Sequence, residues 1–263
     1  MRSLGWRVAA VFVVAVAVIS SGLALVREGL EIDGDVLALA QYGPALAALV
    51  TWLVFRRRLG DMMPAAVSTR QVRAHLALAV AACALFALLL WFGYAVVGGN
   101  ETFGIRAVGG TPFAVIAAIW LFGATAEEVG WRGVLQPSLE SVLPRWGAGI
   151  LTGLLWSVWH LPLFADGAAI GAVFIASTTV LAVLMAYLGN GSPRQRVITT
   201  SVVHWLVNLA ILAVAGTNIA LSELLPELAA ISITTLVFLA LFARARSARA
   251  AAAAHPSTSA AHT

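Results

Sequence analysis

Eight long apolar stretches, separated by short polar breaks, make up most of this sequence of 263 residues. A helix that crosses the hydrocarbon core of a bilayer needs about 20 mostly apolar residues. The stretches have roughly that length and run over residues 8–26, 36–55, 75–97, 112–134, 147–165, 168–189, 197–216 and 226–243. They predict an all-α protein, a polytopic transmembrane helical bundle with about eight spans.

The composition excludes most water-soluble alternatives. Apolar residues make up 61% of the chain and charged residues only 11%, whereas a soluble domain carries about 25% charged residues. Because so few charges cannot cover a water-facing surface, a soluble enzyme, a disordered protein and a nucleic-acid binder are all poor interpretations. The single cysteine, Cys83, lies in an apolar stretch, so the sequence predicts neither a disulfide framework nor a cysteine metal site.

The arginines predict the orientation in the membrane. All 16 basic residues are arginine. If the N-terminus is cytoplasmic, 14 of them fall on the cytoplasmic side, and only Arg27 and Arg106 fall on the other. Cytoplasmic loops of membrane proteins are enriched in basic residues. We therefore expect a multi-pass protein of the cell membrane with both termini in the cytoplasm, and a first span too long for a cleaved signal peptide.

The chain divides into three parts. Residues 1–100 hold the first three spans, which contain almost no polar side chains. Residues 101–246 hold spans four to eight and three motifs with ionisable side chains. Residues 247–263 are rich in alanine and serine and predict a disordered cytoplasmic tail.

The fourth span carries Glu127, Glu128 and Arg132. Ionisable groups inside a span are costly, so they indicate a function by default. Glu128 and Arg132 lie four residues apart, share a helix face and can form an ion pair. Glu127 points about 100° away from that face and has no local partner. A salt bridge between helices would explain Glu128 and Arg132, but it would leave Glu127 free for chemistry.

Two further motifs lie in later spans. Trp156 and His160 share a face late in the fifth span, and Pro162 predicts a helix break near His160. His204 and Asn208 share a face in the seventh span. A lone histidine can simply bond a backbone carbonyl, and asparagine commonly links transmembrane helices. Each motif is therefore a weak signal when taken alone.

Together the motifs supply a carboxylate, two imidazoles and a carboxamide on three helices. A carboxylate and an imidazole can deprotonate a water, and an imidazole and an amide N–H can stabilise an oxyanion. Alternatively, Glu127, His160 and His204 could bind Zn²⁺ and leave a fourth position open. The His-Glu-x-x-His signature of zinc proteases is absent from the sequence.

The three motifs, in this order, resemble those of the CPBP family of intramembrane proteases, which includes the CAAX prenyl endopeptidases and the bacterial Abi proteins. The resemblance covers approximately residues 112–216, and its motifs are Glu127-Glu128…Arg132, Trp156…His160 and His204…Asn208. The second motif of the family usually begins with Phe, whereas this chain has Trp156. An aromatic packing role would survive that change.

The resemblance implies an intramembrane endopeptidase whose catalytic core is residues 101–246 and whose substrate is a membrane-associated protein or peptide. It assigns water activation to Glu127 and His160, oxyanion stabilisation to His204 and Asn208, and positioning of Glu127 to Glu128 and Arg132. It leaves open whether the reaction uses Zn²⁺ or a metal-free glutamate mechanism. Bacteriocin self-immunity and processing of membrane peptides are both roles within the family.

Two other functions compete with this one. A transporter could use Glu127, Glu128 and the histidines as a proton or ion relay, but it predicts matching broken helices in both halves of the chain. The apolar first half offers no such match. A non-catalytic immunity or scaffold protein on the same fold predicts that a motif residue is lost, and none is lost in this sequence.

The expected depths of the motif residues agree only in part. Glu127 lies 17 residues before the turn at Pro144, and His160 lies 16 residues after it. Because helices rise about 1.5 Å per residue, an antiparallel pair places the two side chains at a similar depth. His204 lies only about eight residues into its predicted span. His160 lies near the outer end of its own predicted span, so the sequence leaves the depth of His204 relative to His160 open; a connection at 161–167 that enters the membrane would bring the two together.

Overall fold

The computed structural model describes residues 2–97, 104, 107–217 and 220–254. This part of the chain is helical and contains no β-strand. The helices are α1 (Arg2–Gly29), α2 (Gly43–Phe55), α3 (Thr69–Val96), α4 (Phe113–Gly130), α5 (Gln136–Glu140), α6 (Arg145–Trp159), α7 (Ala168–Leu188), α8 (Pro193–Val214) and α9 (Leu221–Ala254). A π-helical turn, Trp131–Leu135, joins α4 to α5. The predicted all-α fold is confirmed.

Six of these helical segments are long and apolar enough to cross a membrane: Ser3–Gly29, Thr69–Val96, Phe113–Glu140, Ala168–Leu188, Pro193–Val214 and Leu221–Ala248. The chain is thus a multi-pass membrane protein. The other two predicted spans, 36–55 and 147–165, correspond to α2 with 13 residues and α6 with 15. The prediction of about eight spans therefore holds for the number of apolar helices, but these two are shorter than expected. Helix α6 ends at Trp159 because Pro162 disfavours helix before it.

Helix α8 begins earlier than predicted, at Pro193 rather than at residue 197. Ser192 caps it, since its hydroxyl oxygen accepts a hydrogen bond from the backbone N–H of Gln195. The Gln195 side chain in turn bonds both the N–H and the C=O of Val67, just before α3. The start of α8 is therefore fixed beside the start of α3.

Close packing fixes α6 against α7. A Cβ atom added at Gly153 would lie 2.6 Å from the Cα of Thr179, so only glycine allows this approach. The first helix also packs on the second half of the chain, where Phe12 contacts the buried Trp131 edge to face at 5.3 Å between ring centroids. At the other terminus, α9 continues to Ala254. Residues 247–254 are therefore helical where we expected disorder, and 255–263 lie outside the described residues.

Candidate active site

Glu127 lies in the last turn of α4 and is 1% exposed. Its Oε2 atom accepts a hydrogen bond of 2.7 Å from Nε1 of Trp156 on α6. Its Oε1 atom is buried without a hydrogen-bond partner among the described residues. A buried carboxylate is costly unless it is hydrogen-bonded. The indole of Trp156 therefore stabilises one oxygen of this carboxylate and leaves the other available.

The π-helical turn Trp131–Leu135 follows this carboxylate directly. Such turns inside α-helices occur frequently at functional sites. Arg132 lies in the turn and donates from Nη1 to Glu128 Oε1 at 2.8 Å, which is the ion pair expected from their spacing. Its guanidinium carbon also lies 4.4 Å from the centre of the Trp156 ring system. Arg132 thus links the Glu128 carboxylate to the indole that holds Glu127.

Hydrogen bonds define the tautomers of both histidines. His204 Nδ1 lies 3.0 Å from Glu128 Oε1, and His160 Nδ1 lies 2.9 Å from the backbone oxygen of Trp156. Because a carboxylate or carbonyl oxygen only accepts, each Nδ1 carries the proton. The Nε2 atom of each ring is therefore the nitrogen left for chemistry. The helix break expected near His160 is present, since α6 ends at the preceding residue.

The structure brings His160 and His204 together around one indole ring. Trp156 contacts both, with ring centroids 5.0 Å from His204 and 6.1 Å from His160. The sequence left the depth of His204 relative to His160 open, and the structure resolves it with an α6 that ends at Trp159 and an α8 that begins at Pro193. Trp156 lies 11 residues beyond Arg145 (156 − 145), and His204 lies 11 residues beyond Pro193 (204 − 193). Equal distances along the two helices place Trp156 and His204 at the same depth, and His160 follows four residues after Trp156, just past the end of α6.

A cavity of about 340 Å³ lies against these side chains. Trp156, His160, His204 and Asn208 are among its lining residues, together with apolar side chains of α3, α7 and α9. The side-chain amide of Asn208, within α8, makes no hydrogen bond in the described part of the chain. Glu127 does not line the cavity and lies directly behind Trp156. The imidazoles of His160 and His204 and the carboxamide of Asn208 thus line the cavity. The carboxylate of Glu127 lies on the far side of Trp156 from the cavity.

The proposed metal ligands do not converge. Across the described residues, no group of three His, Cys, Asp or Glu side chains is arranged to hold a metal ion. One oxygen of Glu127 is bonded to Trp156, and Nδ1 of His204 is bonded to Glu128. As they lie, Glu127, His160 and His204 form a hydrogen-bonded cluster around Trp156 rather than a three-ligand site.

Some contacts of the site escaped the sequence analysis. Met185 accepts a hydrogen bond from Arg132 Nη2 at 3.3 Å, and the ring of Phe174 lies 5.1 Å from that of His160. Both are apolar residues within an apolar span, so no sequence signal distinguished them from their neighbours. The hydrogen bond of the Trp156 indole N–H, in contrast, could have been predicted from the sequence. A tryptophan in place of the usual phenylalanine adds a hydrogen-bond donor, and a buried donor needs an acceptor.

Comparisons with known proteins found matches over the part of the chain that holds the site. Residues 109–210 match the family model of the type II CAAX prenyl endopeptidases, Rce1-like. The chain is 31% identical, over 110 residues, to the CAAX prenyl protease 2 of Methanococcus maripaludis. That alignment covers 38% of this chain and 40% of the relative, so the chain spans about two fifths of the curated protein that it matches. The resemblance predicted from the three motifs is confirmed, over nearly the same residues.

Proposed function

We propose that this chain, whose residues 109–210 match the Rce1-like CAAX prenyl endopeptidase model, is an endopeptidase that cleaves a peptide bond of a membrane-associated protein or peptide. One observation carries the proposal. The buried Glu127 has one oxygen without a partner among the described residues, and the Trp156 that holds its other oxygen forms the wall of a cavity with two histidines and an asparagine. This arrangement supplies a base and oxyanion donors around a space for a peptide.

In the proposed reaction, Glu127 and His160 activate water. His160 lines the cavity, and its Nε2 atom carries the lone pair that a water can reach. Glu127 lies behind the same indole with Oε1 buried and unpaired among the described residues, so it takes the proton once a shift of the Trp156 indole opens Oε1 to the cavity. As the water gives up this proton, its oxygen attacks the carbonyl carbon of the peptide bond.

His204 and Asn208 then stabilise the oxyanion of the tetrahedral intermediate. Asn208 lines the cavity, and its amide N–H groups are available to donate. His204 donates from Nε2 when both ring nitrogens carry protons, and the Glu128 carboxylate beside Nδ1 balances that charge. The C–N bond breaks as the leaving nitrogen takes the proton given up by the water. The products are a carboxylate and an amine.

Glu128 and Arg132 have a positioning role in this scheme. Their ion pair holds His204 through Glu128 and the Trp156 ring through Arg132. No step of the proposed reaction uses Zn²⁺, because Glu127, His160 and His204 are not arranged around one point where an ion could bind. A Zn²⁺ mechanism is the alternative, and sensitivity to a chelator distinguishes the two.

We also propose that the protein lies in the cell membrane with both termini in the cytoplasm. This orientation places 13 of its 16 arginines in or beside the expected cytoplasmic segments, while Arg132 is buried in the site.

The proposed function is tested by peptide cleavage with purified protein in detergent. Glu127→Ala and His160→Ala are compared with the wild type on a broad panel of peptides, with Glu28→Ala as the matched control because the Glu28 side chain is 63% exposed. We expect each site variant to lose about 100-fold or more in kcat/KM and the control to keep full activity. A Glu127→Ala protein that cleaves as fast as the wild type would falsify the assignment.

A chelator separates the two mechanisms. Activity that survives dialysis against a strong chelator supports the metal-free reaction. Activity that is lost in the chelator and restored by added Zn²⁺ requires the two histidines and Glu127 to rearrange around the ion, and it would replace the metal-free mechanism.

A further inference from the structure

One face of α7 forms part of the cavity wall. The lining residues on this helix follow the spacing i, i+3, i+4 and i+7, and they are Phe174, Ser177, Thr178 and Leu181. Residues at this spacing lie on the same side of a helix. Ser177 and Thr178 bring two hydroxyl groups to this face, and both residues are buried, at 2% and 6% exposure. No step of the proposed reaction uses either of them.

Ser177 lies at the depth of the catalytic rings. Gly153 on α6 packs against Thr179, and Gly149 packs against Val183, so α6 and α7 run antiparallel in a fixed register. Trp156 lies three residues beyond Gly153 and is therefore level with a point three residues before Thr179, next to Ser177. The contact of 5.1 Å between the ring centroids of His160 and Phe174, one turn further on, agrees with this register.

The hydroxyl of Ser177 has no hydrogen-bond partner among the described residues. A serine inside a helix can donate to the carbonyl oxygen of the preceding turn. Ser138 does so to Val134 at 2.8 Å, and Ser157 does so to Gly153 at 2.6 Å. Ser177 makes no such bond, and a buried donor left unpaired costs free energy. The position therefore lacks a hydrogen-bond acceptor.

The cavity distinguishes Ser177 from other buried hydroxyls. Within the described part of the chain, five more serines and threonines have a buried hydroxyl without a partner: Thr152, Thr179, Ser201, Thr234 and Thr235. None of these five lines the cavity. A serine side chain has one rotatable bond with three staggered positions. Because no hydrogen bond fixes the Ser177 hydroxyl, this rotation can turn it toward a molecule in the cavity.

We propose that Ser177 binds the substrate, and that its hydroxyl donates a hydrogen bond to a backbone carbonyl oxygen of the peptide in the cavity. Every peptide offers such an oxygen, whatever its side chains. The bond is the same in the bound substrate and in the transition state, so Ser177 contributes to affinity and not to the chemical step. The place of the hydroxyl beside the cavity rests on the geometry, and the peptide as its acceptor rests on the proposed endopeptidase function.

Steady-state kinetics on a peptide that the wild type cleaves tests the proposal. Ser177→Ala should raise KM about 3- to 10-fold, the range of one neutral hydrogen bond, and should leave kcat unchanged. Thr179→Val is the matched control, because it removes an unpaired buried hydroxyl from the same helix at a position outside the cavity wall. Its KM should equal that of the wild type. The unfolding midpoints of both variants in detergent should not fall, since neither loses a hydrogen bond of the fold.

Two kinetic outcomes overturn the proposal. The first is a KM in Ser177→Ala that equals the wild-type value or rises no more than in Thr179→Val. The second is a fall in the unfolding midpoint of Ser177→Ala that parallels its loss of cleavage, because the serine would then act in the packing of α7.

Cysteine labelling tests the position of the side chain without any need for activity. The background is Cys83→Ala, since Cys83 is the only natural cysteine. Ser177→Cys and Thr179→Cys are treated in detergent with a small methanethiosulfonate reagent. Ser177→Cys should react from the cavity, and Thr179→Cys, which packs against Gly153, should not. An unreactive Ser177→Cys, or equal reaction of both, overturns the proposal. A reactive Ser177→Cys in a protein that cleaves no peptide contradicts the proposed function alone.

Discussion

Nε1 of Trp156 donates a hydrogen bond of 2.7 Å to Oε2 of Glu127, across two helices and 29 residues of sequence. The indole also contacts the rings of His160 and His204 and the guanidinium of Arg132. One side chain therefore connects Glu127, His160 and His204, three of the four residues of the proposed catalytic set. A phenylalanine, which is usual at this place in the family, would fill the same space without the hydrogen bond.

Trp156→Phe therefore isolates the hydrogen bond from the packing. A hydrogen bond to a charged group contributes about 1.5–3 kcal/mol, so we expect kcat to fall about 10- to 100-fold. KM should change little, because an aromatic ring still forms the cavity wall. The measurement is steady-state peptide cleavage in detergent. Trp146→Phe, on the same helix but with Trp146 57% exposed, is the control and should behave as the wild type. A normal kcat in Trp156→Phe would show that the bond has no part in catalysis.

The buried ion pair should dominate the stability of the site. Arg132→Ala leaves Glu128 without its guanidinium partner in the interior, and breaking a buried pair in this way costs about 3–5 kcal/mol. Arg145→Ala is the matched control, since Arg145 is 36% exposed and lies 3.9 Å from Glu140. The control should lose less than about 1 kcal/mol. Unfolding in mixed detergent micelles measures both variants, and equal losses would contradict the structural role of the buried pair.

Substitution of Asn208 should lower the rate of cleavage without lowering the stability of the protein. It lines the cavity, and its side-chain amide has no hydrogen bond within the described structure, so no polar contact of the fold depends on that amide. If it is an oxyanion donor, Asn208→Ala should lower kcat about 10²- to 10³-fold. The unfolding midpoint in detergent should stay at the wild-type value. A variant that loses stability in parallel with activity would indicate that Asn208 acts as a structural link between helices.

Gly153 should be essential for the position of α6. Its substitution by alanine brings a methyl group to 2.6 Å from the Thr179 backbone, which the packing cannot accommodate without moving α7. We expect a loss of about 1–3 kcal/mol in stability and reduced cleavage, because Trp156 and His160 follow on the same helix. Gly147→Ala is the control, since its nearest neighbour would lie 3.6 Å away. If both alanine variants are equally stable, the close approach of α6 to α7 does not position the site.

The sequence alone predicted the relationships that lie within one helix. The 3.6-residue period placed Glu128 beside Arg132 and pointed Glu127 elsewhere, and Pro162 predicted the end of the helix at His160. The apolar stretches likewise determined an all-helical membrane protein, since a span must satisfy its backbone hydrogen bonds internally. These features follow from local helix geometry and from the bilayer environment, and the sequence indicates both.

Only the tertiary structure decided which helices meet and at what depth. His204 bonds Glu128 across 76 residues of sequence, and Trp156 bonds Glu127 across 29. These contacts depend on the rotation of each helix about its axis and on where it starts, as at Pro193. Close packing at single positions such as Gly153 determines both the rotation of a helix about its axis and its depth. Helical periodicity contains no information about them, because it is the same for every depth and every neighbour.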